Sequence, residues 1–153
     1  MAQPIARTYD CGARCSVWPD VDGEKALAFH AEQCRGLTPG LVLVFAAATS
    51  NPHIIAEALA RHFAGVPHIA CSTAGEIGPD GYAEGSIVCI ALPADGFNVA
   101  TLAIENLSSV EIADITQRVE RFRRDHDAAP AAGFEQSGAF ALTFIDGLSR
   151  REE

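Results

Sequence analysis

The sequence has 153 residues, of which 48% are hydrophobic and 20% charged, so it can build a folded core and is not a disordered chain. Acidic residues outnumber basic ones by 20 to 11, which gives a formal net charge of −9. Nucleic acids and anionic lipids are bound by clustered Lys and Arg, so this balance argues against both as partners.

Signals of export and membrane insertion are not found in the sequence. The longest unbroken apolar run, residues 41–48, is far shorter than the ~20 residues that a membrane-spanning helix needs. The first residues do not combine a basic segment with an apolar stretch, as a secretory signal would. The 5 cysteines are odd in number and irregularly spaced, which favours free thiols in a reducing compartment. We therefore predict a cytoplasmic protein without membrane insertion.

The first third of the chain predicts a strand, a helix and a second strand. Residues 1–12 are predicted to be an N-terminal extension of a domain that spans residues 13–153. A short strand lies within residues 12–18, and Asp20 or Asp22 then caps a helix that ends near Cys34. Residues 41–48 are apolar without alternation, which is typical of a strand buried on both faces, with helices on either side of the sheet.

A β–α–β unit follows. Asn51 is a favourable N-cap, and the helix behind it places Ile55 and Leu59 on one apolar face. Residues 66–72 predict the next buried strand. Because two strands joined by a crossover helix run parallel, we expect strands 41–48 and 66–72 to be parallel.

The second half of the chain alternates glycine-rich and apolar segments. Residues 71–85 fit no helical period, and residues 86–92 predict an apolar strand with residues 97–104 as its antiparallel hairpin partner. A capping-box pattern at Ser108 starts an amphipathic helix. Residues 139–145 predict a last buried strand.

Together these elements predict an α/β domain. We expect a mixed, mostly parallel sheet of about five or six strands, flanked by about three helices. Residues 149–153 have the pattern of a first helical turn that does not continue. We therefore expect the domain to be truncated at its C-terminus.

Polar loops follow the three strands predicted to be parallel. Open α/β sheets bind ligands outside the carboxyl ends of their strands, where these loops would meet. A small zwitterion could place its anion at the helix N-terminus near residue 51 and its cation at an acidic side chain. The alternative is that the loops only form turns and a helix cap. The candidate ligand-binding residues are Thr49, Ser50, Asn51, Ser72, Thr73, Gly75, Glu76 and Asp146.

Other kinds of site have weaker support in the sequence. Lys25 is the only lysine and is not part of a phosphate-binding loop motif. Cys71, at a strand end, could act as a nucleophile if a histidine approached it, but such cysteines are more often small buried residues. The candidate haem ligands are His53, His62 and His68, each of which is more often a surface or capping residue.

Three segments resemble the N-terminal part of FIST domains, which are sensory domains named for F-box and intracellular signal transduction proteins. They are residues 41–46, the stretch Cys-Ser-Thr-Ala-Gly-Glu-Ile at residues 71–77, and Phe-Ile-Asp-Gly-Leu-Ser at residues 144–149. The resemblance covers roughly residues 13–153 and implies roles for the motif residues at the ligand site. Those residues are Ser72, Thr73, Gly75 and Glu76, together with Asp146 and Gly147.

The resemblance implies a non-catalytic, bacterial-type sensory input domain that binds a small polar, amino-acid-like ligand. Its implied partners are histidine kinases, chemotaxis components or cyclic-di-nucleotide enzymes, and a homo-oligomer is compatible with it. Some family members bind haem and sense nitric oxide, so a haem-binding nitric-oxide sensor is one alternative. A second alternative is an enzyme in which Cys71 or Glu76 is catalytic. A third is a fragment that needs further parts of the protein to function.

Overall fold

The computed structural model describes residues 2–127 and 140–145. The chain divides into two compact units, Met1–Val99 and Ala100–Glu153. The first unit holds a five-stranded sheet and a separate two-stranded hairpin. The strands are β1 (Ile5–Thr8), β2 (Arg14–Trp18), β3 (Pro39–Ala47), β4 (His68–Thr73), β5 (Glu76–Gly78), β6 (Gly81–Ala83) and β7 (Ile87–Pro93).

The main sheet has the strand order β1-β2-β7-β3-β4 and is mixed. Its one parallel pair is β3 with β4, as the β–α–β pattern predicted. The other three neighbouring pairs are antiparallel, so the prediction of a mostly parallel sheet is wrong. The apolar runs had indicated burial on both faces, and burial does not fix strand direction. Strand β7 is apolar because it lies between β2 and β3 in the centre of the sheet.

Two helices of the first unit, α1 (Gly23–Gln33) and α2 (Pro52–His62), have the predicted caps. The Asp22 side chain accepts a hydrogen bond from the backbone N–H of Lys25 at 3.1 Å. The Asn51 side chain accepts one from the backbone N–H of His53 at 3.0 Å. Each cap satisfies a backbone donor that the first turn of a helix leaves without a partner.

Both helices pack on the same face of the sheet, and not on either side as the sequence had suggested. The core on this face, which we call the helix face, joins Leu27 of α1 and Leu59 of α2 to alternate residues of β3 and β7. Full burial of each leucine contributes about 1.5–3 kcal/mol. A Cβ on Gly23 would lie 2.7 Å from Cγ1 of Ile55, so glycine at this position lets the two helices approach closely.

The other face of the sheet carries a smaller apolar cluster, centred on Cys15, Val17 and Val88. We call it the hairpin face, because the hairpin formed by β5 and β6 packs there. A Cβ on Gly78 of β5 would lie 2.7 Å from Cγ2 of Val17, which shows how closely the hairpin backbone approaches the sheet. The sequence had indicated only that this glycine-rich segment is not helical.

The first residues of the chain contribute a strand. Strand β1, inside the segment predicted to be an extension, pairs antiparallel with β2. The side chain of Arg7 in β1 forms an ion pair of 3.2 Å with Asp80, in the turn of the hairpin. The edge strand and the hairpin tip are therefore in contact.

The second unit contains a short 3-10 turn at Leu107–Ser109 and the helix α3 (Ile112–Asp127). The predicted amphipathic helix is therefore present, but it begins at Ile112 and not at Ser108, which lies in the 3-10 turn. Residues 97–104 are not a strand, so the predicted hairpin partner of β7 is wrong. The reason is that β2 and β3 already occupy both edges of β7. In the part of the chain that the structure describes, no helix is both long and apolar enough to cross a membrane.

The predicted last strand, residues 139–145, is also wrong for its described part, because residues 140–145 have no strand structure. Phe140 is 70% exposed and Leu142 is 56% exposed, so this apolar run is not buried as a central strand would be. An apolar run indicates a preference for a strand but does not supply a partner for it. The predicted helical turn at residues 149–153 lies outside the described residues.

Candidate functional site

The two parallel strands bring two of the predicted loops to one edge of the sheet. Ala47, the last residue of β3, is the register partner of Thr73, the last residue of β4. The loop that contains Thr49, Ser50 and Asn51 therefore leaves the sheet beside the loop that leads to Glu76. The third predicted contributor, Asp146, lies outside the described residues.

Glu76 is the centre of a buried hydrogen-bond network at this edge. Its side chain is 1% exposed. One carboxylate oxygen, Oε1, accepts a hydrogen bond of 2.6 Å from the Thr73 hydroxyl. The other, Oε2, accepts bonds from the Ser86 backbone N–H at 3.1 Å and the Ser86 hydroxyl at 3.0 Å. A buried carboxylate needs such donors to replace water.

The same network extends into the main sheet. The Thr73 hydroxyl also lies 3.4 Å from the carbonyl oxygen of Ala46 in β3. The backbone N–H of Ala47 donates a hydrogen bond of 3.0 Å to the carbonyl oxygen of Ser86. Glu76 therefore connects the end of β4, the start of β5 and the residue before β7, next to the end of β3.

A cavity of about 250 Å³ lies on the hairpin face, beside Glu76. Its base is formed by Phe45 of β3 and by Val88 and Ile90, alternate residues of β7, and Ile77 of the hairpin contributes to its wall. The residues that line it are Phe45, Thr73, Gly75, Glu76, Ile77, Val88 and Ile90. Three of the predicted site residues, Thr73, Gly75 and Glu76, thus share one cavity.

The remaining predicted residues that the structure describes do not line this cavity. Thr49 and Asn51 are exposed, and the Asn51 side chain caps α2. The hydroxyl oxygen of Ser50 is buried and has no hydrogen-bond partner among the described residues. Ser72 is exposed, and its register partner Ala46 belongs to the helix-face core, so Ser72 is on the opposite side of the sheet from the cavity.

The sequence did not predict the apolar lining residues, because their positions depend on the strand pairing. Phe45 of β3 and Val88 of β7 are register partners, and Ile90 is two residues further along β7 on the same face. Alternation along each strand identifies these positions once the strands are known to be neighbours. The sequence does not show that β3 and β7 are neighbours in the sheet, because residues 41–48 and residues 86–92 are far apart in the chain.

Gly75 gives the hairpin room to fold over this edge. A Cβ at this position would overlap the phenol ring of Tyr82. The Tyr82 hydroxyl donates a hydrogen bond of 2.9 Å to the carboxylate of Glu84. This bond raises the pKa of Tyr82, because the neighbouring negative charge opposes ionisation of the phenol. Tyr82 itself is 64% exposed.

The three candidate haem ligands lie apart from this cavity. His53 is exposed in the first turn of α2, and exposed His68 places Nδ1 3.0 Å from the carbonyl oxygen of Val66. His62 borders an open groove outside α1, together with Trp18 and Phe29, and its Nε2 lies 3.1 Å from Oε1 of Glu24. Within the described residues, no three His, Cys, Asp or Glu side chains are placed to hold a metal ion.

Cys71 is half-buried in β4, and its register partner is Phe45. Burial raises the pKa of its thiol. An activated cysteine nucleophile needs the opposite shift, toward the thiolate. Its environment is thus that of an ordinary packed cysteine.

A second buried polar group lies in the helix-face core and was not predicted. His30 is 0% exposed, with Nδ1 2.8 Å from the Ser16 hydroxyl and Nε2 3.7 Å from Sγ of Cys34. Burial lowers the pKa of His30 to about 4 and raises the pKa of Cys34 to about 11. The sequence signal was the spacing His30-x3-Cys34, which places both side chains on one face of α1.

Comparison with known proteins identifies the family. The model of the FIST N domain matches residues 40–153, which is more than half of the chain and includes the whole Glu76 network. The chain therefore belongs to the FIST family, a family of signalling-related sensory domains. Searches of curated proteins and of solved structures returned no match.

Proposed function

We propose that this protein is a non-catalytic sensory input domain that binds a small ligand in the cavity beside Glu76. The observation that carries the proposal is the composition of this cavity. It combines an apolar base with buried Glu76 and half-buried Thr73, which are hydrogen-bonded to each other at one end. Ligand sites typically have such an apolar lining with a few fixed polar groups. Family membership supports a sensory role over a structural one.

The size of the cavity favours a small metabolite. Its volume of about 250 Å³ is just below the range of roughly 300–1,000 Å³ of sites for drug-sized ligands. A nucleotide or a porphyrin would exceed it. A molecule of the size of an amino acid or a short amine is the best match.

Binding could be communicated through the hairpin. Ile77 of β5 and Val88 of β7 both line the cavity, so a ligand would touch the hairpin and the main sheet together. Glu76, at the start of the hairpin, is bonded to Ser86 just before β7. We propose that ligand binding fixes the position of the hairpin. A histidine kinase or a cyclic-di-nucleotide enzyme in the cytoplasm would respond to it.

The test is a thermal-shift screen of amino acids, amines and other small metabolites, followed by calorimetry. At a ligand concentration of about 100 times Kd, binding adds about 2.7 kcal/mol to the free energy of unfolding. Ile90→Phe should fill the cavity and abolish the shift. Ile54→Phe is the matched control, because Ile54 is 42% exposed and does not line the cavity.

Two results would contradict the proposal. One is a wild-type protein that is folded by circular dichroism and is stabilised by no compound of the screen. The other is a ligand whose affinity is unchanged in Ile90→Phe, since such a ligand would bind outside the cavity.

The described residues do not fit the haem alternative. A haem site encloses the macrocycle in an apolar pocket with an axial ligand directed at the iron. His53 and His68 line neither of the two cavities described here, and His62 borders an open groove with its Nε2 on Glu24. The enzyme alternative has similarly little support. The Cys71 thiol is held in its neutral form, and Glu76 already accepts three hydrogen bonds.

A further inference from the structure

We propose that the cavity selects a small organic cation, an amine with an apolar body, and that Glu76 is its counter-ion. This inference rests on the proposed function, since it names the ligand class of the same cavity. It differs from the zwitterion that the sequence suggested. Its basis is the charge balance of the residues that line the cavity.

Among the described residues, the hydrogen-bond partners of the buried Glu76 side chain are all neutral. They are the Thr73 hydroxyl, the Ser86 hydroxyl and the Ser86 backbone N–H. In the described part of the chain, the ion pairs within 4.0 Å involve other acidic residues, namely Asp22, Glu24, Glu32 and Asp80. Buried charges in proteins are usually paired, and within the described part of the first unit no ion pair of Glu76 is found.

The carboxylate also retains capacity for one more donor. Two carboxylate oxygens offer about four lone-pair positions. Three of these are used by the donors of Thr73 and Ser86. Because Glu76 lines the cavity, an ammonium group placed there could donate to the remaining position and neutralise the charge.

The remainder of the lining explains why the ligand should lack a carboxylate. Phe45, Ile77, Val88 and Ile90 are apolar, and among the described residues no Lys, Arg or His lines the cavity. The helix N-terminus that the sequence offered as an anion site is capped by Asn51, which is not among the lining residues. A zwitterionic amino acid would therefore meet no described cation in this lining for its carboxylate, whereas an amine carries no such group.

The experiment compares matched ligands that differ in one group. Isoamylamine is tested against leucine and isoamyl alcohol, and phenethylamine against phenylalanine, by calorimetry on the full chain. We expect an amine to bind more tightly than its amino acid and its alcohol by about tenfold or more. Glu76→Gln should remove this preference. Glu84→Gln should not, since Glu84 is an exposed carboxylate of the same segment outside the cavity.

The outcomes separate this inference from the proposed function. If the amino acids or the alcohols bind more tightly than the amines, and Ile90→Phe blocks that binding, the preference for a cation is wrong. The proposal of a ligand site in the cavity would still hold. The absence of binding by any class of small molecule would overturn both. If Glu76→Gln does not fold, the wild-type comparison decides, because equal affinities for amine and alcohol contradict a counter-ion role.

Discussion

Ser86 donates two hydrogen bonds to Oε2 of Glu76, one from its backbone N–H at 3.1 Å and one from its hydroxyl at 3.0 Å. The contact joins residues ten positions apart and holds the two ends of the hairpin segment together. Ser86 is 2% exposed and Glu76 is 1% exposed, so water cannot replace a lost donor. Stability and the shape of the candidate site therefore depend on the same pair.

Ser86→Ala should lower the free energy of unfolding by about 1–3 kcal/mol. The substitution removes one donor to a buried carboxylate, and hydrogen bonds to charged groups contribute about 1.5–3 kcal/mol. Urea denaturation measures the change. Ser72→Ala is the control, because Ser72 is exposed and a surface substitution should stay within about 0.5 kcal/mol. Equal effects of the two substitutions would contradict the role assigned to the network.

Gly75→Ala should move Tyr82 with little change in stability. The added Cβ would overlap the outer end of the phenol ring, which is free to move because Tyr82 is 64% exposed. Displacement separates the hydroxyl from Glu84, so the pKa of Tyr82 should fall toward its ordinary value. Ultraviolet titration of the phenols in a Tyr9→Phe background measures this.

Glu84→Gln provides the comparison for that experiment. It removes the charge that raises the pKa of Tyr82 but leaves Gly75 unchanged. The pKa should fall in this variant as well. A Tyr82 titration that stays the same in Gly75→Ala would show that the ring does not pack over residue 75.

Because His30 is buried, we expect the protein to lose stability in mild acid. Its pKa is about 4 in the folded protein, because burial disfavours the imidazolium, against 6.5 for the unperturbed group. As pH falls below 6.5, the unfolded chain takes up the proton first, so stability declines until the pH reaches about 4. A difference of about 2.5 pKa units corresponds to a loss of about 3 kcal/mol.

The comparison of two variants isolates His30 from other acid-sensitive groups. Lowered pKa values of Asp22 and Glu24 also cost stability in acid, but both carboxylates are present in every variant. His30→Gln should reduce the decline measured by urea denaturation between pH 7 and pH 4. Ser16→Ala keeps the buried imidazole and should retain the decline. The same decline in His30→Gln would refute the assignment.

The β–α–β unit could be predicted from the sequence because its signals are local. The Asn51 cap, the apolar face with Ile55 and Leu59, and the two flanking strand segments each specify their own structure. Together they also predicted the parallel pairing of β3 with β4, which the structure has. The edge at which Thr73 and Glu76 lie followed from that pairing.

Features that depend on distant partners could not be predicted. An apolar run does not indicate which strands will pair with it. The position of β7 between β2 and β3 was therefore not predicted. Without that position, Phe45 and Val88 could not be recognised as neighbours in the cavity. Glu76 was identified as a candidate from its motif, but its burial depends on Ser86, whose role was not visible in the sequence.

Substitutions of Asn51 test whether this predicted site residue contacts the ligand or only caps α2. Its side chain accepts a hydrogen bond of 3.0 Å from the backbone N–H of His53 and does not line the cavity. Asn51→Ala should therefore cost about 1 kcal/mol of stability, the usual effect of losing an N-cap. Asn51→Asp should retain the cap, and its charge is favourable at the positive end of the helix dipole.

The ligand affinity of these variants separates the two roles. If Asn51 only caps α2, calorimetry should give the same Kd for Asn51→Ala, Asn51→Asp and wild type at a temperature where all three are folded. A Kd that rises in Asn51→Ala would show that the helix N-terminus contributes to binding. That result would favour a zwitterion, because the N-terminus of α2 would then supply the anion site that the lining of the cavity lacks.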